Sequence, residues 1–260
     1  MTERPYVLLS AAMSADGYID DASGTRLVLS DEADLDRVDE LRAASDAILV
    51  GAQTVRADNP RLLVRSSARR QQRLELGRAA SPRRVTITRS GRLDPAARFF
   101  EPASDQVLVS QDLPDRLLPG FTDRPAEFPD GAVHPDRPLV YAAPAVAGEL
   151  TARLSGAAVV VTVAGQPRDA PDLEIGWILA DLARRGIARL LVEGGAHVLA
   201  QFLSAGLADE FLLAIAPVIV ADARAPRLLA GASPAGRMTL TGVTVAGDMA
   251  VLRYLPRTAD

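Results

Sequence analysis

The chain has 260 residues, 48% hydrophobic and 24% charged, which suits one large α/β domain, or two small ones, with a sizeable core. A net charge of −4 argues against a general nucleic-acid or acidic-membrane surface but leaves room for a local basic pocket. With no cysteine, two histidines and all 29 basic residues arginine, disulfides, thiolate or His-rich metal sites, a cysteine nucleophile and a Schiff-base lysine are excluded.

In chain order, the apolar stretch Tyr6–Met13 is too short for a signal peptide and is followed by acids; Tyr6–Ala12 predicts a first strand. Ser30 is expected to cap a helix over Asp31–Ala44, with Leu35, Val38 and Leu41 on its apolar face. Further strands are expected at Ala47–Val50, Arg84–Thr88, Gln106–Ser110, Leu139–Ala142, Ala158–Val163, Arg189–Val192, Phe211–Val220, Met238–Ala246 and Met249–Leu255. Helices are expected at Asp172–Arg185, ended by Gly186, and at Ala196–Ala205, closed by Gly206. Strands alternating with helices imply a largely parallel sheet, and the three final strands add antiparallel pairing. Residues 66–82, rich in arginine and glutamine, and 112–138, rich in proline, read as surface insertions in a single domain spanning 1–260. The longest apolar run, Phe211–Ala221, is broken by Pro217 and is about half of the ~20 residues a membrane helix needs, so a soluble cytoplasmic protein is expected.

Three junctions carry candidate chemistry. In "LLVEGGAHVLAQFL" a strand ends at Glu193, passes Gly194-Gly195 and resumes as a helix. A helix start offers unpaired N–H groups and the positive end of a dipole, and glycines let a phosphate approach the backbone; a plain tight turn is an even alternative. This is not the G-x-G-x-x-G of the Rossmann first turn, so any dinucleotide site has another architecture. In "DAILVGAQTVRADNPRLLVR" a buried strand ends at Gly51, and Thr54 and Asp58 share a helical face, where caps are as ordinary as ligands. In "AAMSADGYIDDASG" a strand enters an Asp16-Gly17 turn.

Together these motifs resemble the reductase domain of bacterial riboflavin biosynthesis, a family with a dihydrofolate-reductase-like fold. Its S-x-D-G is matched by Ser14–Gly17. Its L-R-A-x-S-D-A-I-L-V-G-x-x-T-V-x-A-D-[DN]-P-x-L-x-V-R is matched by Leu41–Arg65, and its L-V-E-G-G and G-L-x-D-E by Leu191–Gly195 and Gly206–Glu210. The chain departs at Ser10, where the family usually has lysine, and over Ser23–Val28, where it usually has S-G-E-S-x-W; both lie on the substrate side. No deaminase motif is present.

The resemblance implies a mostly parallel α/β sheet flanked by helices, with antiparallel C-terminal strands. It implies NADPH-dependent reduction of a phosphorylated ribosylamino-pyrimidine, opened to its imine or aldehyde form, to the ribitylamino product. Carried over by position, Ala12, Thr54, Asp58 and the segment Gly194, Gly195, Ala196, His197, Val198 and Leu199 contact NADPH. Arg89 and Ser90, where the family holds the adenosine end, suit its 2′-phosphate. Arg42, Leu62 and Arg65 hold the substrate and its phosphate, and Glu193 reads the pyrimidine edge. Asp58 and Glu193 are the nearest candidate proton donors, with water an equal alternative. A homodimer is implied, with no metal, nucleic-acid or membrane partner. A pterin- or dihydrofolate-type reductase, or an NADPH-binding protein without turnover, are the competing readings of the scaffold.

Overall fold

The computed structural model describes residues 4–23, 27–102, 137–163, 173–229 and 237–257. Nine strands form one sheet in the order β5-β4-β3-β2-β6-β1-β7-β9-β8. They are β1 (Tyr6–Ser14), β2 (Ala47–Gly51), β3 (Arg83–Thr88), β4 (Leu139–Ala142), β5 (Val159–Thr162), β6 (Arg189–Gly194), β7 (Glu210–Ala216), β8 (Met238–Ala246) and β9 (Met249–Pro256). The first seven are mutually parallel, and β7–β9 and β9–β8 pair antiparallel, which is the expected architecture. The central strands are continuous apolar runs because both of their faces are covered.

The helices are α1 (Glu32–Ala44), α2 (Ala52–Asp58), α3 (Ser67–Glu75), α4 (Pro144–Arg153), α5 (Ile175–Arg184) and α6 (Ala196–Ser204). They divide between two cores. On one face Ile178, Leu179 and Leu182 of α5 and Val198, Leu199 and Phe202 of α6 pack on Val7, Leu49, Leu190 and Val192. On the other, Val55 of α2 and Leu150 of α4 pack on Leu8, Ile48, Val50, Val140 and Leu191. The alternation of facing residues along each strand produces the two layers. Right-handed crossovers explain the split: links that move toward β5 lie on one face, and links that return toward β7 lie on the other.

Several boundaries differ from expectation. The cap of α1 is Asp31, whose carboxylate accepts from the amide of Asp34, and the fully buried residues of that helix are Asp34 and Asp39. Leu35, Val38 and Leu41 are only half-buried. Residues 66–82, read as an insertion, contain α3. Its Arg73 is 4% exposed and donates to the carbonyls of Ala43, Ser45 and Ala79, satisfying the end of α1. The strand expected at Gln106–Ser110 and nearly all of the insertion at 112–138 lie outside the described residues, as does the expected start of α5 at Asp172. Among the described residues, no helix is long and apolar enough to cross a membrane.

Candidate active site at the carboxyl ends of β2 and β6

Neighbouring strands β2 and β6 leave the sheet in opposite directions. The chain after β2 enters α2 on one face, and the chain after β6 enters α6 on the other. Such a switch point opens a crevice at the strands' carboxyl ends, where open α/β sheets bind ligands. Pairing of the two strands slips there: Leu49 faces Val192 and Val50 faces Gly194, so Glu193 is an extra, unpaired residue on β6. A bulge of this kind re-aims a side chain. Here the Glu193 carboxylate meets α1, accepting from Arg42 Nε at 2.7 Å and from Arg42 Nη2 at 2.6 Å. The pair is 13% exposed on the arginine side and 10% on the glutamate side, and the two parallel bonds match a planar donor fork to a carboxylate. Burial pulls the Arg42 guanidinium down, but the charge and hydrogen bonds of Glu193 outweigh it and the net shift is upward. Arg42 Nη1 also donates to the Leu63 carbonyl at 3.3 Å.

Beyond the bulge the backbone turns through two positive-φ glycines, Gly194 at 143° and Gly195 at 44°. A Cβ on Gly195 would lie 3.1 Å from Thr54 Oγ1, so the starts of α2 and α6 meet over the crevice. Gly51, the last residue of β2, is closed in further, with a Cβ there falling 2.9 Å from Val198 Cγ2. Gly51, expected only as the end of a buried strand, is also where the start of α6 packs closely on β2. Among the described residues no side chain caps α6, whose start lies beside the Gly194-Gly195 turn. A helix start without a side-chain cap, beside a glycine backbone, fits an anionic group such as a pyrophosphate. Of the expected cofactor segment, Gly194, Gly195, Ala196 and His197 lie at this turn beside Thr54, whereas the Val198 and Leu199 side chains are buried in the core and the Leu199 amide donates to the Gly195 carbonyl.

The other expected residues fall as follows. Ala12 is half-buried near the carboxyl end of β1, the strand beside β6. Asp58 is the half-buried last residue of α2, one turn beyond Thr54. Arg89 and Ser90 are exposed just past β3, the strand on the far side of β2. Leu62 has a left-handed backbone, φ 54°, yet its side chain is buried in the core. Any contact it makes in the crevice is therefore through its peptide groups. Arg65 is exposed, whereas Arg42 is committed to Glu193 and the Leu63 carbonyl. The expected two-arginine clamp is thus unequal: one member is built into the protein and the other faces solvent.

Parts of the matched motifs are structural. Asp46 accepts from the amides of Ala188 and Arg189, fixing the start of β6. Asp16 accepts from Ser14 Oγ and the amides of Val220 and Ala221, tying the turn after β1 to the chain leaving β7. Asp209 and Glu210 sit at the amino end of β7, the edge opposite the crevice.

A mostly parallel sheet flanked by helices, with a glycine turn and a helix start suited to an anionic ligand at its switch point, defines an α/β protein with a candidate anion site at the carboxyl ends of β2 and β6. More specifically, residues 5–252 match the model of the RibD C-terminal domain, and the chain belongs to that family. A protein of Archaeoglobus fulgidus named 2,5-diamino-6-ribosylamino-4(3H)-pyrimidinone 5′-phosphate reductase is 33% identical over 231 residues, covering 88% of each chain. Its namesake from Methanothermobacter thermautotrophicus is 34% identical over 229 residues, 88% of this chain and 85% of that one. Among solved structures, a pyrimidine reductase-like protein of Corynebacterium diphtheriae superposes with a TM-score of 0.71 at 24% identity, over 98% of this chain and 93% of that one. The last comparison supports the fold alone.

Proposed function

We propose that the chain is an oxidoreductase of riboflavin biosynthesis that reduces the opened ribosyl group of a phosphorylated ribosylamino-pyrimidine to the ribityl form with NADPH. The observation that carries this reading is the Glu193 bulge. It puts a buried carboxylate next to a glycine turn and a helix start without a side-chain cap, in a chain about one-third identical to named pyrimidinone phosphate reductases. Bound there, NADPH would supply the hydride that reduces the opened sugar, and the protein would supply position and charge. The first turn of α6 and Thr54 hold the cofactor's phosphates, and Arg89 with Ser90 meets the 2′-phosphate. Glu193, fixed by Arg42, accepts from the N–H groups of the pyrimidine, and Arg65 meets the sugar phosphate. Both Glu193 oxygens already accept from a guanidinium, which suits an acceptor and not a proton donor. The proton required beside the hydride comes from Asp58 or from water.

The protein acts as a homodimer joined along β8. That strand ends the sheet, carries no charge or proline, and exposes Leu240, Val243 and Val245, an edge unprotected against pairing. The test of the activity is NADPH oxidation by the purified chain with the phosphorylated pyrimidine, a pterin, dihydrofolate or no acceptor, with the product identified by mass. Ribitylamino product formed only from the pyrimidine supports the reading. Turnover of the pterin or dihydrofolate alone, or NADPH binding without turnover of any acceptor, overturns it.

A further inference from the structure

The buried acid Asp39 lies one turn before Arg42 on α1, 3% exposed, at a position where an apolar residue would pack. Its Oδ1 accepts from the backbone amide of Arg65 at 2.5 Å and its Oδ2 from that of Ser66 at 3.1 Å. Arg69 Nη1 completes its shell at 3.0 Å and also binds Asp36. Two residues earlier in the same arm, the Leu63 carbonyl is held by Arg42, whose other donors hold Glu193. Successive turns of one helix thus grip the arm by its backbone at Leu63 and at Arg65–Ser66, directly after its left-handed residue Leu62. The Asp39 charge also adds to the field that favours the Arg42 cation. These residues are in neither helix nor strand, and amides outside regular structure ordinarily go to water. A carboxylate placed to take two of them is a specific device for a fixed loop shape.

We propose that Asp39 is a positioning residue for the substrate: by fixing the peptide groups of Arg65 and Ser66 it presets the arm that presents Arg65. The inference rests on the proposed role of Arg65 toward a phosphorylated pyrimidine. Asp39 does not touch the substrate itself and acts only through the arm.

The test has two readouts. The first needs no activity: in the full-length wild type, the amides of Arg65 and Ser66 should exchange with solvent at least tenfold more slowly than exposed loop amides. Exchange at the loop rate overturns the clamp, whether or not any variant folds. The second uses Asp39→Asn, which keeps one acceptor and loses the charge. It should raise KM for the phosphorylated pyrimidine about tenfold, with kcat changed less than threefold and NADPH affinity changed less than twofold. Combined with Arg65→Ala, Asp39→Asn should add almost nothing, because both remove the same contact. Arg69→Ala, which leaves both amide bonds in place, should keep the wild-type KM. An Asp39→Asn enzyme with wild-type KM, or one whose loss adds fully to that of Arg65→Ala, overturns the positioning role and leaves the proposed reaction standing. A wild type that does not turn over the phosphorylated pyrimidine overturns both.

Discussion

Thr54 and Gly195 face one another across the β2–β6 crevice so closely that a Cβ on Gly195 would sit 3.1 Å from Thr54 Oγ1. With Gly195 at φ 44°, any other residue there meets both left-handed strain of about 1–2 kcal/mol and a crowded hydroxyl. Gly194, at φ 143°, has open space around the same position. The two glycines therefore separate strain from crowding. Gly195→Val should weaken NADPH binding at least tenfold, about 1.4 kcal/mol, with the fold retained. Gly194→Ala should lose stability and less cofactor affinity. Titration calorimetry with NADPH checks both, and normal binding by Gly195→Val would mean that the junction is only a turn.

Arg89 and Ser90 follow the buried strand β3 into solvent on the crevice edge of the sheet. A guanidinium and a hydroxyl supply the charge and directional bonds a 2′-phosphate needs. Arg89→Ala should weaken NADPH about tenfold or more and leave NADH within twofold, as charge-assisted bonds contribute about 1.5–3 kcal/mol. Equal losses for the two cofactors would remove Arg89 from the site.

Much of this site was readable because its signals are local. A strand, two glycines and a helix are contiguous from 189 to 204, and the strand ends at Gly51 and Gly194 needed only apolar runs and breakers. What was not readable depends on distant partners. The apolar face was read from Leu35, Val38 and Leu41, whereas the buried residues are Asp34 and Asp39, and only the arm 26 residues later explains why Asp39 is buried. Arg73 looked like part of a polar insertion because nothing local shows that it caps α1 through Ala43 and Ser45. The bond between Arg42 and Glu193 joins positions 151 apart, so both appeared as separate substrate ligands. The helix α4, begun by Pro144 at its first turn, was missed although that proline is a start signal.

The carboxylate of Asp16 ties the turn after β1 to Val220 and Ala221. Hydrogen bonding, first from Ser14 and then from those amides, lowers its pKa to about 2. Burial opposes a shift at Asp209, but Arg4 and the Val7 amide outweigh it and the net direction is again downward. A folded value below the unfolded one stabilises the protein above the unfolded pKa of about 3.9, and that contribution is lost as pH falls through the folded value. Thermal stability should therefore decline between about pH 4 and pH 2. Asp16→Asn should be less stable at neutral pH and decline less steeply over that interval. Parallel melting curves for the two proteins would show that the Asp16 charge contributes nothing.

The edge strand β8 leaves Val245 79% exposed, so a change there should barely touch the monomer's core. A lysine on an edge strand opposes pairing with a second copy because its charge would be desolvated. Val243→Lys with Val245→Lys should convert a dimer to a monomer in sedimentation equilibrium while the melting temperature of the monomer is preserved. A variant that stays dimeric would move the interface elsewhere.

Arg42 and Arg65 were expected to act as equals on a phosphate, and the structure gives them different surroundings. Arg42 is buried with Nε and Nη2 on Glu193 and Nη1 on the Leu63 carbonyl, whereas Arg65 is exposed and its backbone amide is held by Asp39. Removing one partner of a buried ion pair costs about 3–5 kcal/mol, since the other charge is left uncompensated. Lysine cannot reproduce the fork and would leave part of that penalty. Arg42→Lys should therefore lower the melting temperature, by roughly 2–4 °C per kcal/mol lost. It should also raise KM for the pyrimidine about tenfold or more by loosening Glu193. Arg65→Lys should raise KM by a similar factor with no thermal effect. The dephosphorylated substrate separates them: it should erase the Arg65→Lys defect, because no phosphate is left to miss, and retain the Arg42→Lys defect, because Glu193 still reads the base. An Arg65→Lys penalty that survives dephosphorylation would remove Arg65 from the phosphate site, and an Arg42→Lys enzyme with wild-type stability and KM would show that the Glu193 pair is dispensable for both fold and recognition.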